Sequence, residues 1–183
     1  MNMSPIHPES RDKSPFYVTT PIYYVNAKLH IGGAYTTIVA DTLARYARSQ
    51  RRPTFFLTGS DEHGQKIADT AKAQGKTPQA LADEIVPYFH ALWETLEISH
   101  DRFIRTTDRY HERVVQSFFA KLRDNGYLTK GVYKALYCTA CEKPYSRSEL
   151  DEQLRCPIHH TPVVEIEEEN YFIRLTALRE KLE

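Results

Sequence analysis

The stretch Thr54-Phe55-Phe56-Leu57-Thr58-Gly59-Ser60-Asp61-Glu62-His63-Gly64 decides how the rest of the chain is read. Its first five residues are β-branched, aromatic or aliphatic, the pattern of a short strand buried on both faces. A helix is predicted after it, from Gln65 to about Ala73, stopped by Gly75. The same order occurs upstream. Phe16-Tyr17-Val18-Thr19-Thr20 reads as a buried strand, Pro21 and Asn26 to Lys28 as a loop, and Gly32 to Arg48 as a helix. In that helix Ala34, Ile38, Thr42 and Tyr46 recur at every fourth position with Tyr35, Val39 and Leu43 beside them, so they are predicted to form its apolar face.

Downstream, Thr77 is predicted to cap a longer helix with Pro78 at its first position. Leu81, Ile85, Phe89, Leu92 and Leu96 would be its buried stripe, and Pro87 its kink. Arg102 to Arg105 reads as a third strand. Thr106 or Thr107 is predicted to cap a helix that carries Val114, Val115, Phe118, Phe119 and Leu122. Residues 16–126 therefore alternate strand and helix, which implies a parallel sheet with right-handed crossovers. The fold class is α/β, the first half of a doubly wound parallel sheet. From Tyr127 the alternation gives way to tyrosines, cysteines and short Thr/Val runs, so residues 127–175 are expected to form an inserted, β-rich module. Residues 1–15 are expected to be a disordered tail, and 176–183 the start of an unfinished helix.

Composition narrows the function. With 183 residues, 24 basic and 24 acidic side chains, the formal charge is zero, which argues against coating nucleic acid by bulk charge. No apolar run approaches the roughly 18 residues of a membrane span. The polar start has no signal-peptide core, so a cytoplasmic location with no membrane partner is expected. The acidic run at Glu165, Glu167, Glu168 and Glu169 reads as a solvated face.

Three constellations can carry chemistry. Cys138-x2-Cys141 and Cys156-x2-His159 are two pairs of soft ligands with knuckle spacing, which suits one tetrahedral, closed, structural Zn2+. His160 is the rival fourth ligand. His159 is preferred because its spacing mirrors the first pair. The second is Leu29-His30-Ile31-Gly32-Gly33 at a strand-to-helix junction, where glycines and a helix N-terminus favour a phosphate and His30 can donate to it. The third is Gly59 to Gly64, at the carboxyl end of a strand, where open parallel sheets bind ligands. Asp61 there can bind a cation or an amino group, or Ser60 and Asp61 can simply cap the next helix.

Together these segments resemble the methionyl-tRNA synthetase family of class I aminoacyl-tRNA synthetases. The resemblance lies in Phe16 to Gly32, Phe56 to Ile67, Ala73 to Gln79, Asp101 to Thr107, Lys130 to Tyr133, Leu136 to Glu142 and Cys156 to His159. It implies a Rossmann-like catalytic domain with a zinc-knuckle connective module. It also implies the family's reaction: activation of methionine by ATP, with Mg2+, to methionyl-adenylate, then transfer to tRNA(Met). By resemblance His30 would be catalytic and, with Gly32 and Gly33, would bind ATP. Ile22 and Tyr24 would line the methionine pocket, and Asp61 would hold the α-amino group. Two departures stand out. Gly33 replaces the second histidine of the family's His-Ile-Gly-His signature. The family's Lys-Met-Ser-Lys-Ser loop has no counterpart, since no methionine follows Met3. The chain is therefore expected to be an N-terminal part of a synthetase, with the C-terminal part as its possible partner and little activity alone. The alternative is a free-standing, non-catalytic module that binds zinc, a ligand or a partner.

Overall fold

A computed structural model describes residues 14–182. The expected tail, residues 1–15, lies outside the described residues apart from its last two. The chain divides into two compact units, with the boundary between His111 and Glu112.

The first unit contains β1 (Phe16–Thr19), β2 (Tyr23–Tyr24), α1 (Ile31–Ser49), β3 (Thr54–Asp61), α2 (Gln65–Ala73), α3 (Pro78–Thr95) and β4 (Arg102–Arg105), and α4 (Arg109–Asp124) begins in it. β3 is the hub and pairs in parallel with the other three strands. Leu57 pairs with both Thr19 and Arg102, and Ser60 with both Tyr23 and Arg105. So β1 and β2 share one edge of β3, and β4 lies along the other. The parallel half-sheet is thus as expected, with two differences. The loop after β1 contributes the two-residue strand β2, too short to give a period. β3 also runs on to Asp61, because Gly59 sits against β4: a Cβ there would fall 2.2 Å from the Ile104 carbonyl oxygen.

The helices follow the predicted bounds, but α1 faces the other way. Its buried residues are Gly33, Ala34, Thr37, Ala40, Asp41, Ala44 and Ala47. Ile38, Val39, Leu43, Tyr35 and Tyr46 are exposed, Tyr46 to 66%. Of the predicted stripe only Ala34 is buried. Small side chains let the helix axis come close to the sheet, where Ala40 and Ala44 pack on Phe56 and Val18. Asp41 holds the helix in place by accepting from the Ser99 N–H at 2.7 Å and its hydroxyl at 2.6 Å. Asp101 accepts from Arg48 and from the Phe56 N–H.

On α3, Thr77 accepts from the Ala80 N–H at 3.1 Å, as its capping role requires. The helix continues through Pro87. Leu81, Ile85 and Phe89 are buried as predicted, while Ala82, Val86 and Trp93 replace Leu92 and Leu96 in the core. Leu81, Ala82, Ile85, Val86 and Phe89 join Val25, Ile67 and Ala71 in the larger hydrophobic cluster.

The second unit is antiparallel: β5 (Leu128–Cys138) pairs with β6 (Lys143–Tyr145) and, over ten positions from Leu128↔Ile173 to Tyr137↔Val164, with β7 (Val164–Ile173). Among the described residues its cluster of buried hydrophobics is Cys138, Tyr145 and Cys156. No residue of α4 is buried. A 3-10 turn at Leu175–Leu178 and α5 (Arg179–Leu182) close the described chain. No helix among the described residues is long and apolar enough to cross a membrane.

Candidate functional site

His30 occupies the N-cap of α1 with extended backbone, φ −89° and ψ 171°. Its Nδ1 accepts from the Gly32 N–H at 3.0 Å. An accepting Nδ1 puts the ring proton of the neutral imidazole on Nε2, free to donate. Gly32 makes this fold-back possible, since a Cβ there would lie 2.9 Å from His30 Cε1. Gly33 differs: it is buried, and a Cβ would meet Leu29 Cδ1 at 2.6 Å. The Tyr23 hydroxyl donates to the Gly33 carbonyl at 3.1 Å and lies 2.8 Å from Thr37 Oγ1, tying β2 to the first turn of α1. Gly33 therefore packs this turn against its neighbours, whereas His30 and Gly32 are exposed at its mouth.

At the end of β3, Asp61 is in register with Tyr24. Registered neighbours project to the same face of a sheet, so the two side chains share one face, with Ile22 two residues before Tyr24. Ile22 and Tyr24 are exposed to 42% and 41%, and the Lys66 ammonium lies 5.7 Å from the Tyr24 ring centre. The capping alternative for this loop fails. The N-cap of α2 is Gly64, with no side-chain hydrogen bond, and the Ser60 hydroxyl donates to Glu62 Oε1 at 2.5 Å instead. The Asp61 carboxylate remains available for a ligand.

Glu62 went unread in the sequence. It is 2% exposed. Arg105 donates to both its carboxylate oxygens at 2.7 and 2.9 Å, and the Thr107 hydroxyl to one at 2.5 Å. Burial opposes the carboxylate's charge, but the Arg105, Ser60 and Thr107 donors outweigh it and hold the group below the usual carboxylate range. Thr106 Oγ1 accepts from the Glu62 N–H at 2.9 Å. Thr106 and Thr107, one of which was expected to cap α4, thus both serve Glu62. The only readable signal was an acidic residue at one strand end and an arginine at the end of the next.

In the second unit Cys138, Cys141, Cys156 and His159 bring one ligand atom each to within 4.8 Å of all the others. His159 Nδ1 lies 4.0, 3.1 and 3.8 Å from the three sulfurs in chain order, and the Cys141 and Cys156 sulfurs are 3.5 Å apart. Ligands about 2.3 Å from a common tetrahedral centre stand roughly 3.8 Å apart, so the donor set fits one metal ion. His160 is outside the group. The two turns match: Glu142, one residue after Cys141, has φ 52°, and His160, one residue after His159, has φ 54°. Burial works against the Cys156 thiolate, but the His159 and Ile158 N–H groups and the Tyr145 hydroxyl pull it down to about 5. At Cys141 the Tyr145 hydroxyl acts the same way, but burial and the neighbouring sulfurs prevail and raise the thiol.

A family model described as "tRNA synthetases class I (M)" matches residues 16–163. A methionine–tRNA ligase of Thermotoga maritima is 51% identical over 170 residues, 91% of this chain and 27% of that protein. The chloroplastic/mitochondrial methionine–tRNA ligase of Arabidopsis thaliana is 45% identical over 168 residues, 92% of this chain and 27% of that protein. Among solved structures, Mycobacterium tuberculosis methionyl-tRNA synthetase in complex with methionyl-adenylate superposes with a TM-score of 0.83 at 40% identity, covering 92% of this chain and 34% of that one. The chain thus spans about a quarter to a third of the length of these relatives.

Proposed function

The chain belongs to the methionyl-tRNA synthetase family of class I tRNA synthetases, and we propose that it supplies the methionine- and phosphate-binding part of a methionine–tRNA ligase. In that reaction the methionine carboxylate oxygen attacks the α-phosphorus of ATP, with Mg2+, as the bond to the β-phosphate bridge breaks. Methionyl-adenylate and pyrophosphate result, and the acyl group then passes to tRNA(Met). The observation that carries this reading is the 40%-identical, 0.83 TM-score match to a synthetase holding methionyl-adenylate.

Each residue has work that its geometry supports. His30 Nε2 donates to the ATP phosphates beside the N-terminus of α1, and Gly32 keeps the approach to the backbone open. Asp61 accepts from the methionine α-ammonium, with Ile22 and Tyr24 beside it. Gly33 is a packing residue at this site. Cys138, Cys141, Cys156 and His159 hold one Zn2+, which supplies a structural cross-link between two turns. Metal analysis is expected to find one zinc per chain. His159→Ala should loosen it and His160→Ala should not; the reverse would move the fourth ligand.

The test is methionine-dependent exchange of pyrophosphate into ATP, by the chain alone and mixed with the remaining part of the Thermotoga relative. Exchange only in the mixture supports the reading. Turnover by the chain alone within tenfold of a typical enzyme's roughly 10 per second would mean that the first half-sheet suffices. No exchange in either, with no methionine binding, would overturn the assignment. That outcome would favour the second reading, a non-catalytic synthetase-like module, which has one observation of its own: the missing second histidine at Gly33.

A further inference from the structure

Glu62 is a buried carboxylate with its hydrogen-bonding capacity filled, and it stands next to the residue assigned to the substrate ammonium. Four donors converge on its carboxylate: Ser60 Oγ, Arg105 Nε and Nη2, and Thr107 Oγ1. They come from β3, β4 and the connection after β4. Arg105 is itself anchored to Asp83 of α3 at 2.6 Å, and the Glu62 N–H is fixed by Thr106. A carboxylate has about four lone-pair sites, so this one is filled. Buried ion pairs are a poor source of net stability compared with apolar packing, so such an arrangement at a strand end is not explained by holding the sheet together.

We propose that the Glu62–Arg105–Thr107 clamp is a positioning device for Asp61. Side chains along a strand alternate between faces. Ser60 and Glu62 bond to each other and so share one face, while Asp61 between them projects to the other, the face of Tyr24. With Ser60 and Glu62 tied down on either side, the Asp61 backbone has one orientation. The carboxylate is then aimed before an amino acid arrives, which saves the ordering that binding would otherwise require. Glu62 and Arg105 touch no ligand; they act through Asp61. The inference rests on the reading of Asp61 as the ammonium partner.

The test separates the two. Methionine and its des-amino analogue, 4-(methylthio)butanoate, share a thioether and a carboxylate and differ in the ammonium. Calorimetry on the whole chain gives an affinity ratio for the pair. The parent is expected to prefer methionine by about tenfold or more, the value of a charge-assisted hydrogen bond. Asp61→Asn should bring the ratio close to one. Thr107→Val, which removes one donor and leaves the ion pair, should lower it about threefold or more with the analogue's affinity unchanged, and Thr107→Ser should restore it. Glu62→Gln should lower it further; if that variant does not fold, Thr107→Val and its Ser rescue decide. A ratio that survives Thr107→Val but not Asp61→Asn overturns the clamp's role, as does an equal loss for both ligands. A parent ratio near one, or no binding of either, overturns the Asp61 reading itself.

Discussion

The two units reach a fixed structure by opposite means. The first buries large side chains drawn from distant parts of the sequence: Phe56 from β3, Leu81, Phe89 and Trp93 from α3, and Ile67 from α2. The second buries two cysteines and one tyrosine around four candidate ligands. Its β5–β7 ribbon carries exposed cross-strand pairs, Lys130 with Glu169 and Lys134 with Glu167, of a kind worth little in water. The first unit is a hydrophobic fold with its candidate site at the strand ends, whereas the apolar core of the second centres on its cysteine cluster.

The largest expected effect follows directly. A structural zinc in a small site contributes about 10–16 kcal/mol of apparent binding free energy. Chelation should therefore release the second unit while the first stays folded. The chain has one tryptophan, Trp93, 1% exposed in the core of the first unit, so its fluorescence reports on that unit alone. With a strong chelator all three thiols should become titratable while the Trp93 denaturation midpoint stays put. A midpoint that falls with the metal would mean the two units are not independent.

The converse prediction concerns Phe56, fully buried against Ala40 and Ala44. Phe56→Ala should cost about 3–5 kcal/mol, read by Trp93 fluorescence in urea. Zinc stoichiometry and affinity should not change. Weaker zinc binding in this variant would break the comparison from the other side.

The two units also differed in how far their sequences could be read. The knuckle was legible because its ligands come in local pairs, and a two-residue spacer fixes geometry without knowledge of the rest of the fold. The cap at Thr77-Pro78 and the strand at Arg102–Arg105 were legible for the same local reason. In the first unit the failures are all long-range. The apolar period of α1 was real, but which face meets the sheet depends on how closely the helix approaches, and small residues won. β2 is a strand only because Ser60 and Asp61 lie opposite it. Glu62 carried no local signal because its partner, Arg105, belongs to a different strand.

Next in size is Gly33. The family signature has histidine at this position, but in this chain its side chain would start 2.6 Å from Leu29 Cδ1 in a buried turn. Overpacking of this kind costs about 1–3 kcal/mol. Gly33→His should lower the Trp93 midpoint accordingly, and Leu29→Ala in the same chain should recover part of the loss. If Gly33→His is neutral alone, Leu29 has room to move, and any failure to catalyse must be sought elsewhere than in packing at residue 33.

The smallest effect lies in the second unit and tests how well its two turns match. Glu142 and His160 both follow the second ligand of a pair, and both hold the left-handed conformation, φ 52° and 54°. That conformation costs an ordinary residue roughly 1–2 kcal/mol and glycine almost nothing. Glycine also loses more freedom on folding, so the net gain from His160→Gly should be about 1 kcal/mol. In a unit folded by its metal such a gain appears as metal affinity, so zinc binding should be about fivefold tighter in a chelator competition. Glu142→Gly should do the same by a similar amount, since the turns are equivalent. Weaker binding in His160→Gly would make the imidazole, not the backbone, the contribution of residue 160. The preference for His159 as ligand would then have to be given up.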